Sequence, residues 1–374
     1  MSYRVVIVEA EDTPDPRDVL AAAIRAGDVG RVSDLLLSLP PPPPLAFGLL
    51  QACSFGNRDI LELLLDACTP SELPSLLAAP ADRRGRSPLH FAAANGDWAA
   101  AQLLLARGAD VDAVSKDGLT PCAYAAAAGH RGVMDLLLDA GAAADKAAND
   151  GSTPLLLAAE GGHAHCVASL LRRGADPNTT TNDGTSPLLA ALEGGHRQAV
   201  EALLAAGAQP GGTTDGRTVL HWAAHHGMVK VLEELLAKGD SASVDAADEA
   251  GETALLLAAR RGHAQAVQLL LQHGAATDKP NSAGITPLIA ATLFGHDATV
   301  AALLARGAGT TVRDATFKRT PLHFAALADA EPVARLLLQH GADATAVDTS
   351  GATPMDLAVE YECTMVVRVF TSRS

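Results

Sequence analysis

Aromatic residues are scarce: 3 Tyr, 2 Trp and 7 Phe in 374 positions. An interior built around ring side chains is therefore excluded. Cations are in deficit as well. Against 43 Asp and Glu stand 28 Lys and Arg, a formal charge of −15. A surface of that sign repels phosphate backbones and excludes nucleic acid as a partner class. The same acidity favours solubility and basic or apolar partners. Cysteine is limited to Cys53, Cys68, Cys122, Cys166 and Cys363, with no CxxC pair and no disulfide framework. That usage fits a reducing compartment. Near the start, only Val5–Val8 is continuously apolar and acids follow at once, so no signal peptide is expected. No run of about 18 apolar residues exists to span a membrane. Cytoplasmic residence is the expectation, with the nucleus left open.

Motifs of chemistry are missing too. There is no GxxxxGK(S/T) phosphate loop, no HExxH, no GxSxG elbow and no GxGxxG. The 13 histidines invite a metal reading, yet His130, His163, His196, His263 and His296 occupy one recurring slot. Equivalent slots one helix packing distance apart, roughly 8–10 Å, cannot share a metal whose donors lie within about 2.1 Å. His221 and His225, four residues apart with His226 adjacent, make the best metal-like group, and no third ligand is identifiable.

What is abundant is repetition. A phrase close to T-P-L-H-x-A-A begins at Ser87, Thr120, Thr153, Ser186, Thr218, Thr253, Thr286, Thr320 and Thr353. The steps are 33, 33, 33, 32, 35, 33, 34 and 33 residues. Within one period the local chemistry spells turn, helix, stop, helix. Asp150-Gly151 supplies a tight turn; Thr153 caps a helix and Pro154 takes its first position. Gly161-Gly162 ends that helix, and His163 opens a second one carrying Val167, Leu170 and Leu171 on one face. Gly174 closes it in a left-handed cap. Helices this short are unstable alone in water, so each unit needs its neighbours. Recurrent alanine pairs such as Ala158-Ala159 permit close helix approach.

The phrase and its period resemble the ankyrin repeat family, strongly over 82–370 and weakly over 18–81. The resemblance implies an all-α solenoid of helix-turn-helix units with β-hairpin-like loops, about nine clear repeats plus two degenerate ones. An extension (1–17), a degenerate pair with a proline-rich loop (18–81), the repeat domain (82–370) and a tail (371–374) complete the expected organisation. Pro40–Pro44 must be extended polyproline II. It reads as a stiff loop or as a ligand for a proline-binding domain. The segment 68–84 reads as an irregular insert with a short helical turn. Val366, Val369 and Phe370 are expected on an apolar closing face.

The resemblance further implies non-catalytic binding of protein partners along a concave face, made from loop tips and the ends of first helices. Carried onto this sequence, those positions include Arg83, Arg84 and Arg86 in the first clear repeat. Further along stand His225 and His226, then Arg260 and Arg261. Ile285, Leu293, Phe294, Phe317 and Leu327 place apolar groups at slots that are usually polar. Such a group reads either as an anchor patch or as side chains folded over their neighbours. Lys318 replaces a turn glycine, so that loop is expected to deviate and displace Phe317. His90, His221 and His323 fill the His of T-P-L-H and are expected to hydrogen-bond within the turn. No cofactor is expected. A monomeric adaptor or scaffold, without membrane insertion, is the leading reading; an assembly factor self-associating through its last repeat and a metal-dependent enzyme are the rivals.

Overall fold

A computed structural model describes residues 15–38, 45–79, 82–209, 215–237 and 244–371. The extension before residue 15 and the Pro40–Pro44 run lie outside the described residues. The architecture is all-helical, with 23 helices and no strand among the described residues. One isolated antiparallel bridge joins Ala247 and Thr253. The described residues divide into two compact units. The first runs to Ala190 and includes Ala202–Ala208; the second comprises Ala191–Glu201 and everything from Gln209 onward. Within each unit, first helices pack on first helices and second helices on second helices.

Local chemistry explains each pair. In the repeat begun by Thr153, helix Pro154–Glu160 starts where Thr153 Oγ1 accepts from the Leu156 amide at 3.3 Å. It ends at Gly162, whose φ of 71° relieves the last turn. Helix Ala164–Arg172 follows and closes before Gly174, at φ 89°. Ala92, Ala93, Ala125, Ala126, Ala158, Ala159, Ala223, Ala224, Ala258, Ala259, Ala325 and Ala326 are all 0% exposed. These small side chains let helices pack at close range, so leucines such as Leu155, Leu170 and Leu303 fill the interior without rings. The weak early units also form helix pairs, Pro16–Ala26 with Val29–Ser38 and Leu45–Phe55 with Arg58–Asp66. Without Thr-Pro, the first helix is capped by Asp15, whose carboxylate accepts from the Arg17 amide at 2.8 Å. The insert contributes one short helix, Leu73–Ala78.

Three kinds of hydrogen bond tie repeats to their neighbours within each unit. At the loop tips one backbone amide crosses over: Lys116 to Arg84, Asn149 to Asp117, Asn182 to Asp150, Glu249 to Asp215, Ser282 to Ala250, Ala315 to Ala283, and Thr349 to Phe317. At the start of the first helix, His90 Nδ1 accepts from the Ser87 amide at 3.0 Å, so its Nε2–H donates to the Leu119 carbonyl of the following repeat at 3.0 Å. His221 and His323 repeat this bridge, to Glu252 and Ala352. The expected contact within the turn is therefore half of a longer one. At the helix-two slot, His130, His163, His263 and His296 reach back to carbonyls of the preceding repeat at 3.0 Å. Their rings lie so close to Gly96, Gly129, Gly227 and Gly262 that a Cβ there would meet the ring at 2.5–2.7 Å.

The terminal pair differs from expectation. Val366 and Val369 are 0% and 1% exposed, turned onto the preceding pair, and Phe370 is half-buried. The outward residues of that pair are Val359, Tyr361 and Met365, at 57%, 58% and 43% exposure. No described helix is long and apolar enough to cross a membrane.

The buried histidines give stability a pH dependence. Burial holds His90, His221 and His323 below the usual imidazole pKa of 6.5, so the folded chain keeps them neutral. The unfolded chain takes up protons first, near pH 6.5, and stability falls as pH drops below that value. Urea denaturation at pH 7.5 and 5.5 should show a lower midpoint at 5.5; equal midpoints would contradict the assignment.

Candidate functional site

The loop tips are rigid because carboxylates at their bases are spent on the turn. In the second unit Asp248 accepts from the amides of Ala250 and Glu252 at 3.0 and 2.8 Å. Arg217 of the preceding repeat closes on it at 3.1 Å. Burial alone would raise the Asp248 pKa, but these hydrogen bonds and the guanidinium bring it below the ordinary carboxylate value. Asp348 is held the same way, by Ser350 first, then by the Ala352 amide and by Arg319 at 3.1 Å. The turn aspartates and the arginines before the Thr anchors thus act as a structural pair.

One loop is longer than the rest. Elsewhere the amide of the loop base meets the carbonyl four residues on, as in Ser115 to Leu119 and Asn281 to Ile285. In the Thr320 repeat, Asp314 pairs instead with Arg319, five residues on. Lys318 takes the glycine position with φ 57°, so the turn is kept at the cost of left-handed backbone. The Asp314 carboxylate accepts from the amides of Thr316, Phe317 and Arg319 and fixes the added residue. Phe317 is held at the tip, 49% exposed, with the Arg319 guanidinium 4.7 Å from its ring centre. The expected deviation is real, and it takes the form of one extra residue.

At the other end of the first helices, Leu293 and Phe294 close helix Pro287–Leu293 at 41% and 55% exposure. The Phe294 ring stacks on His296, centroids 6.2 Å apart. Phe294 and the tip residue Phe317 therefore mark opposite ends of a first-helix layer that is one seven-residue helix deep, about 10 Å. Ile285 and Leu327 are half-buried beside these ends. Tyr361 was not among the sequence candidates. It stands eight residues after Thr353, the register of Phe294 after Thr286, and is the most exposed aromatic side chain of the second unit. Extending the register one repeat further would have found it.

The basic candidates fare unevenly. Arg261 is exposed and donates to His225 Nε2 at 3.0 Å. Arg260 is instead tied to Glu252 and so is not a free cation. His225 and His226 are half-buried against Trp222, at centroid distances of 6.0 and 6.1 Å. Burial, with Arg261 adding to it, pushes the His225 imidazole down to about 4. His226 stands in for the slot histidine, which is Met228 in this repeat: its ring lies 2.8 Å from where a Gly195 Cβ would be. The Glu193 carbonyl bears on that ring, but Nε2 lacks a hydrogen bond of good geometry. In the first unit Arg83 and Arg84 are exposed, whereas Arg86 is paired with Asp82 at 2.8 Å and lies over the Phe91 ring at 4.1 Å. An acidic partner at that end would meet two arginines, not three.

The metal-like trio is not a donor set. His221 spends both ring nitrogens on Thr218 and Glu252, and His225 spends Nε2 on Arg261. No group of three or more His, Cys, Asp or Glu able to hold a metal occurs among the described residues. The thiols are sequestered as well: burial raises Cys122 to about 12 and Cys166 to about 11.

A family model described as "Ankyrin repeats (3 copies)" matches residues 19–114, 89–181, 155–248 and 240–314. A second, described as "Ankyrin repeats (many copies)", matches 303–358. No curated protein matches the chain.

The strain at Lys318 is open to test. Lys318→Gly should remove about 1 kcal/mol of left-handed backbone cost and raise the urea midpoint. A midpoint that stays or falls would show that this conformation carries no penalty.

Proposed function

The chain belongs to the ankyrin repeat family, whose repeats are in general protein–protein interaction modules, and from that premise we propose that it is a non-catalytic adaptor whose docking surface lies on the second unit. The surface runs between the loop tips and the far ends of the first helices. Phe294 and Phe317 are its anchors, with Leu293, Ile285 and Leu327 beside them and Arg261 at one edge. The observation that carries this reading is the exposure of Phe294 and Phe317, 55% and 49%, in a second unit where Phe324 is buried and Phe370 half-buried. Exposed aromatics gathered on one surface mark interaction sites, because their burial supplies much of the energy of association.

Support also comes from what the polar groups are doing. The histidines and turn aspartates that would serve a reaction are spent on linking repeats. A rigid surface with few free reactive groups suits recognition better than catalysis.

Affinity purification of the parent and of the double variant Phe294→Glu with Phe317→Glu tests the reading. Quantitative mass spectrometry should show the parent's main partners depleted at least tenfold in the variant, with an unchanged circular dichroism spectrum. Equal recovery of those partners would move the docking surface elsewhere.

A further inference from the structure

One edge of the proposed surface is short of acceptors. Trp222 Nε1 and His225 Nδ1 are shut off from solvent and make no hydrogen bond, and His226 Nε2 has only the poorly aligned Glu193 carbonyl. Because Arg261 donates to His225 Nε2, the proton of His225 sits on Nδ1, where nothing accepts it. The one nearby carboxylate with several donors on it, Glu252, is already divided among Arg217, Arg260 and Asn281. Arg261 is exposed and forms no ion pair among the described residues. Buried polar groups left unsatisfied are costly, and native structures keep few of them. The donor of this cluster that a docked group can reach is the exposed Arg261 guanidinium, and a group that only accepts complements it.

The apolar part of the surface is continuous with this edge. The Phe294 ring stacks on His296, and His296 Nε2 bonds to the Arg260 carbonyl at 3.0 Å. His296 thus links the Phe294 ring to the backbone next to Arg261 in the preceding repeat. Arg261, Phe294 and Tyr361 each stand eight residues after the Thr that opens their repeat, and the repeat between the last two holds Ala328 at that position.

The geometry points to a linear partner segment that sets a carboxylate on Arg261 and apolar side chains on Phe294 and Tyr361. This rests on the docking surface proposed above and adds the partner's chemistry to it. A side-chain carboxylate fits better than a phosphate group: one unpaired guanidinium matches a single negative charge, and the chain's own charge of −15 disfavours a dianion. Equivalent positions in adjacent repeats lie about 10 Å apart, which an extended chain covers in about three residues. The acid and the first apolar residue should therefore stand about three positions apart, and the second apolar residue about six further on.

Selection of random linear peptides displayed on phage against the full chain tests this. Enriched peptides should carry Asp or Glu about three positions from an apolar residue. Arg261→Glu should weaken them about tenfold and favour versions with Lys in place of the acid, while Arg261→Gln should cost less. Phe294→Glu should abolish binding by all of them. All three substitutions are at exposed positions, and thermal melts check that each variant folds. Enrichment without an acidic position, or an acidic-peptide affinity indifferent to Arg261→Glu, overturns the carboxylate while leaving the surface intact if Phe294→Glu still abolishes binding. Peptides that bind Phe294→Glu as they bind the parent overturn the surface itself. Failure to enrich any peptide, or enrichment only of phosphorylated forms in a parallel phosphopeptide selection, overturns the inference.

Discussion

A helix of seven residues followed by one of nine cannot hold itself together in water. Everything else in this chain follows from the need to bond each such pair to its neighbours. Apolar burial supplies the drive, with paired alanines and leucines closing the interface. Direction and register come from the hydrogen bonds that cross between repeats. A tip amide, a capping imidazole and a slot imidazole each join one repeat to the adjacent one. His90, His221, His323, Asp248 and Asp348 therefore each serve twice, once within their own turn and once across the seam.

That double service explains why so many suggestive residues are not chemical. Histidines invite a metal reading in the sequence, yet His90, His221 and His323 each have both ring nitrogens engaged. Asp248 and Asp348 are likewise consumed, each by its turn and by an arginine of the repeat before it. In the second unit the side chains of Leu293, Phe294, Phe317 and Tyr361 are left exposed by this packing.

Much of this was legible in the sequence, because period, cap and stop are local signals. The Thr-Pro starts, the glycine ends and the alanine pairs all read directly from residue spacing. The 34-residue step before Thr320 already contained the longer loop, although only the structure shows that the extra residue lies between Asp314 and Arg319. Ion pairing was harder. Asp82 stands four residues before Arg86 and was within reach of a sequence argument, whereas Glu252 meets Arg260 only after a helix has folded between them. The orientation of Val366 and Val369 was misjudged because a final helix has two apolar sides to choose from, and only packing selects the inner one.

Amide hydrogen exchange at the loop tips reports most directly on whether neighbours hold each other. The amides of Lys116, Asn149, Asn182, Glu249, Ser282, Ala315 and Thr349 lie in loops, where a free amide exchanges rapidly. If repeats are linked as described, these seven should exchange as slowly as amides inside the helices. Exchange at free-loop rates, with the helices still protected, would show that the seams are held by apolar packing alone and would contradict the account.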